Sequence, residues 1–177
     1  FAHVRPADDP LRRDLLAHAA RTMATAEPER ALQLYLDSAG GSSHEWENPL
    51  IVREAFASLA GQDREQATSK VLEFSGKDRE AAMSGVLTNA FSDDLASAIS
   101  LTRAWLSDPT LKDSVIPAVN FALSWGDGGG NHDLGPILEQ MPELADHVGR
   151  YALEGCTRTN PEAAAAFRGG QVAANPS

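Results

Sequence analysis

Asn48-Pro49-Leu50-Ile51-Val52-Arg53-Glu54-Ala55-Phe56-Ala57-Ser58-Leu59-Ala60-Gly61-Gln62-Asp63 is the stretch whose reading decides the fold. Val52, Ala55, Phe56, Leu59 and Ala60 fall at i, i+3, i+4, i+7 and i+8, the spacing of one face of a 3.6-residue helix. Asn48 places a side-chain acceptor at the N-cap. Pro49 sits in the first turn, where its missing N–H is one that no helix carbonyl would have received. Gly61-Gln62-Asp63 closes this helix and caps a second, whose apolar members are Ala67, Val71, Leu72 and Phe74; Gly76 ends the pair. The unit so read is an α-hairpin.

The same pattern extends in both directions. Towards the N-terminus, a helix over about Leu11 to Ala24 carries the stripe Leu15, Leu16, Ala19, Ala20 and Met23. After Glu27-Pro28, a second helix with Ala31, Leu32, Leu34, Tyr35 and Leu36 runs to about Ser38. Towards the C-terminus, Ala82, Val86, Leu87, Ala90 and Phe91 form a stripe that turns at Ser92-Asp93-Asp94. Its partner carries Leu95, Ala98, Ile99, Thr102, Trp105 and Leu106. Beyond Ser107-Asp108-Pro109, Pro117 would break a helix interior. The next helix is therefore expected to start near Ser114, with Val119, Ala122 and Leu123 on its stripe. A short helix is expected over Leu134 to Gln140. Pro142 opens a fifth pair through Leu144, Val148, Ala152 and Cys156, ending in a helix from Asn160-Pro161 to Phe167.

The restarts return about every 30 to 37 residues, each beside an acid or an Asn. Ala31, Ala67, Ala98 and Ala164 hold equivalent places three or four residues after the turn acid or Asn, where close packing inside a hairpin demands a small side chain. Alternation of apolar and polar residues never persists, so no strand is predicted. The expected fold is all-α: a right-handed superhelix, or solenoid, of about five hairpins and about ten helices. Residues 1–10 read as an N-terminal extension, 11–168 as one helical-repeat domain and 169–177 as a frayed tail.

Ala24-Thr25-Ala26-Glu27-Pro28-Glu29-Arg30-Ala31-Leu32 and Thr159-Asn160-Pro161-Glu162-Ala163-Ala164 resemble turn regions of tetratricopeptide-like repeats. Ala19, Ala31 and Tyr35 match the small and aromatic positions of that family. HEAT-type repeats are the other helical family whose packing suits the pattern. The resemblance implies a scaffold that binds a protein or peptide. Val52, Phe56 and Leu59 stand where that family has polar, groove-facing residues, so no binding residue is carried over from it.

Composition bounds the function. With 177 residues the chain is long enough to bury roughly 70% of its unfolded surface. Its 42% apolar and 23% charged fractions are those of a folded protein. Only 6% is aromatic, so Ala, Leu and Val must build the core. Twenty-five acids against fifteen Lys and Arg leave a formal charge of −10, with no basic cluster to neutralise phosphates or dock on anionic lipid. Neither nucleic acid nor membrane is expected as a partner. No apolar run approaches the ~20 residues of a membrane helix. The chain opens at Phe1, which reads as a fragment or processed product and leaves its compartment, cytoplasmic or exported, open. Cys156, the one cysteine, has no partner for an internal disulfide.

Candidate sites are few. His44-Glu45-Trp46-Glu47 lacks the second His, four residues on, that a zinc protease helix requires; Asn48 stands there. Asp127, Asn131 and Asp133 in the Gly126–Asp133 loop offer oxygen ligands, but not at the spacing of a calcium loop. They remain weak metal candidates, and no cofactor is expected. His18, His147 and Cys156 read as boundary or core residues. Arg21, Arg53, Arg79, Asn89, Asn120 and Arg150 lie on the first helices of successive hairpins, where they can face a peptide backbone or acidic side chains. The expected function is a protein- or peptide-binding scaffold with no catalysis of its own. The alternatives are an α-superhelical hydrolase or lyase using acids near Glu45 or Asp127, and a structural or self-association module of a larger protein.

Overall fold

The computed structural model describes residues 10–37, 48–125 and 134–144. All regular structure among them is helical, in the order α1 Pro10–Met23, α2 Pro28–Asp37, α3 Asn48–Gln62, α4 Arg64–Lys70, α5 Gly76–Asp93, α6 Leu95–Ser107, α7 Lys112–Trp125 and α8 Leu134–Gln140. Two 3-10 turns, Val71–Glu73 and Pro142–Leu144, complete the set. The chain divides into two compact units at Asn89/Ala90, inside α5.

In unit 1 α1 touches α2, α2 touches α3, α3 touches α4, and α1 also touches α3. The hairpin stretch behaves as its periodicity requires: Val52, Ala55, Phe56, Leu59 and Ala60 are all buried, with Ile51 beside them. Phe56 meets Phe74 edge to face, ring centres 5.3 Å apart at 86°, an arrangement favoured by the ring quadrupoles. A Cβ on Gly85 of α5 would lie 2.3 Å from the Arg53 carbonyl oxygen and 2.9 Å from the Ala57 nitrogen of α3. One turn on, Asn89 Nδ2 lies 3.4 Å from where a Cβ on Gly61 would stand. Positions 85 and 89 thus follow 53–57 and 61 in the same order, so α3 and α5 run parallel and in backbone contact. α2 runs against α3, with Ser58 Oγ donating to the Thr25 carbonyl at 2.7 Å. The single residue Asp63 reverses the chain from α3 into α4. α2 and α4 therefore run opposite to α3 and α5.

The turns repeat one device. Ala31, Ala67 and Ala98 are fully buried, and each donates its N–H to the backbone oxygen of the acid four residues before it: Glu27 at 2.9 Å, Asp63 at 3.0 Å and Asp94 at 3.0 Å. Asp63 also accepts the Gln66 N–H, and Asp94 the N–H groups of Ala96 and Ser97, from extended backbone. These are N-caps that satisfy amides a helix start leaves orphaned.

Several local expectations need correction. α1 buries Ala17 and Ala20, Ala24 is buried just past its end, and Leu15 is 60% exposed. Of the expected stripe, Ala20 is buried, Leu16, Ala19 and Met23 are half-buried, and Leu15 points outward, because the alanine edge lies closest to the core. Leu36 and Leu72, read as apolar members of their helices, are also exposed. At Leu72 the cause is the 3-10 turn, in which i and i+3 eclipse: Val71 and Phe74 go inward, and the residue between swings out. Gly76 opens α5 rather than only ending the preceding hairpin, and its φ of 53° is a left-handed conformation that glycine adopts freely.

In unit 2, α6 touches α7 and α8. Ile99, Trp105, Leu111, Val115, Leu123, Ile137, Met141 and Leu144 are buried there. α7 begins at Lys112, two residues before the expected start, with Pro117 inside it. Asp108 nucleates it: its carboxylate accepts the Thr110 N–H at 2.8 Å and Oγ1 at 2.7 Å. Its backbone oxygen accepts from Leu111 and Lys112. Pro117 cannot donate to the Asp113 carbonyl, but both residues are exposed, so water can supply that donor.

Candidate functional site

The Glu27 and Asp63 turns lie at one edge of unit 1, where a cleft of about 360 Å³ opens. Ala26, Glu27, Pro28, Glu29, Arg30, Leu59, Gln62 and Gln66 line it. Its position follows from the hairpin arrangement, since α2 and α4 both start where α3 ends. Glu29 Oε1 accepts from Gln66 Nε2 at 3.0 Å and lies 3.7 Å from Lys70 Nζ. Arg30 Nη1 donates to Glu27 Oε2 at 3.3 Å. These are exposed pairs in water, each worth about 0–1 kcal/mol.

The residues singled out for partner contact are spread over both units. Arg21 is exposed near the end of α1, and Arg53 is half-buried in the middle of α3. Arg79, in the first turn of α5, donates its Nε to the Phe74 carbonyl at 2.8 Å, which fastens the chain around Gly76. Asn89 Oδ1 accepts from Arg64 Nη2 at 3.2 Å, tying α5 to the start of α4. Arg79 and Asn89 therefore have structural duties that sequence spacing did not reveal. Asn120 is half-buried on α7 of unit 2. Arg150, Glu45, Asp127, Asn131, Asp133, His44, His147 and Cys156 lie outside the described residues. Among the described residues no three His, Cys, Asp or Glu side chains gather as metal ligands, and no helix is long and apolar enough to cross a membrane.

One perturbed acid–base group is Tyr35, buried on α2, whose hydroxyl donates to Asp78 Oδ1 of α5 at 2.9 Å. Burial, then the hydrogen bond and negative charge of Asp78, push its phenol well above the usual range. The hydroxyl stays protonated and acts as a fixed donor between two helices, not as a general base.

The chain matches no family model, no curated protein and no solved structure. The cleft residues Glu29, Gln62 and Gln66 were missed from sequence. The one available signal was the equivalence of the Glu27 and Asp63 turns, which places both turns on one edge once the hairpins stack.

Proposed function

We propose that the chain is an α-hairpin stack that binds a protein or peptide segment by equilibrium contact across several helices. The observation that carries this reading is the alternation in unit 1, with α3 and α5 parallel and touching and α2 and α4 reversed, together with an acid-to-alanine turn at Glu27 and Asp63 that returns at Asp94 in unit 2. Stacks of this type present rows of side chains from successive helices, and specificity is the sum of modest contacts along the row. Arg21 on α1 and Arg53 on α3 belong to the first helices of successive hairpins, and their guanidinium groups suit backbone carbonyls or acidic side chains.

The test is affinity capture from the source organism's lysate, with wild-type protein and Arg21→Glu as parallel baits of matched melting temperature. A polypeptide held by wild type and reduced at least about tenfold by the charge reversal, a difference of about 1.4 kcal/mol, is the expected result. Equal recovery by both baits, or none by either, overturns the reading.

A further inference from the structure

We draw no further inference here: the strongest candidate, the cleft of unit 1 between the first turn of α2 and the facing ends of α3 and α4, carries nothing because its carboxylates are already engaged by Arg30, Gln66 and Lys70 and, beyond a helix N-terminus, no group in it calls for a ligand.

Discussion

Unit 1 and unit 2 hold their helices in different ways. In unit 1 α3 and α5 approach backbone to backbone, with Gly85 set against the Arg53 carbonyl. Side-chain hydrogen bonds reinforce the stack across long stretches of chain: Tyr35 to Asp78, Gln66 to Glu29 and Arg64 to Asn89. In unit 2 no such glycine contact is seen among the described residues, and the helices meet through side chains, with Trp105, Leu111, Ile137 and Met141 enclosed. There Arg103 reaches the Gln140 carbonyl from α6 to α8. The contrast predicts that unit 1 is sensitive to added atoms and unit 2 to removed ones, because a close-packed interior has no slack in either direction.

The largest effect is expected from emptying unit 2. Trp105→Ala should cost about 3–5 kcal/mol, read as a shift in the urea midpoint. A loss below about 1 kcal/mol would mean that the indole does not fill its site and would break the contrast. Gly85→Ala comes next. A mid-helix alanine ordinarily gains about 1 kcal/mol over glycine. Here the new methyl meets backbone that cannot rotate away, so a net loss of about 1–3 kcal/mol is expected by the same measurement. A stabilised variant would show that α3 and α5 are not in contact at this point.

Tyr35→Phe probes the polar ties. Loss of a partly buried bond to a carboxylate should cost about 1–2 kcal/mol at neutral pH. The pH dependence has a definite sign. The folded phenol is raised above the unfolded value of 10.0, so its contribution is complete below that pH and is lost as pH rises towards the folded value. Wild type should therefore lose stability above about pH 10 faster than Tyr35→Phe, with urea midpoints compared at each pH. Parallel slopes for the two proteins would remove Tyr35 from the account.

The smallest effect compares equivalent caps in the two units. Asp63→Ala gives up one capped amide and Asp94→Ala gives up two, together with the Ser97 hydroxyl. Each should cost about 1 kcal/mol, with Asp94 the larger. The reverse order in thermal melts would mean that the caps do not act through these bonds.

Much of the helical layout was legible because it is local. The 3.6-residue phase of Val52 to Ala60 and the acid-to-alanine turns need only a few neighbouring residues to specify them. In α1 the stripe is only partly legible, with Ala20 buried but Leu15 outward, because alanine and leucine are both apolar in a pattern; neighbour distance decides which goes inward, and that distance belongs to the fold. Gly85 reads locally as a weak point in a helix, not as a position of backbone contact. Nothing near Tyr35 announces a partner 43 residues away. For the same reason Arg79 and Asn89 were chosen for their exposed chemistry, while their partners, Phe74 and Arg64, come from the turn and helix beside them. The cleft was hidden for a related reason, since it belongs to an edge that exists only when two turns meet.

Every side chain from Ala81 to Thr88 in α5 is buried, more than two full turns with no face in water. A helix so enclosed cannot fray or roll to admit solvent at one side. Its backbone amides exchange with deuterium only when the surrounding structure comes apart, so their exchange rate measures the free energy of global opening rather than of a local fluctuation.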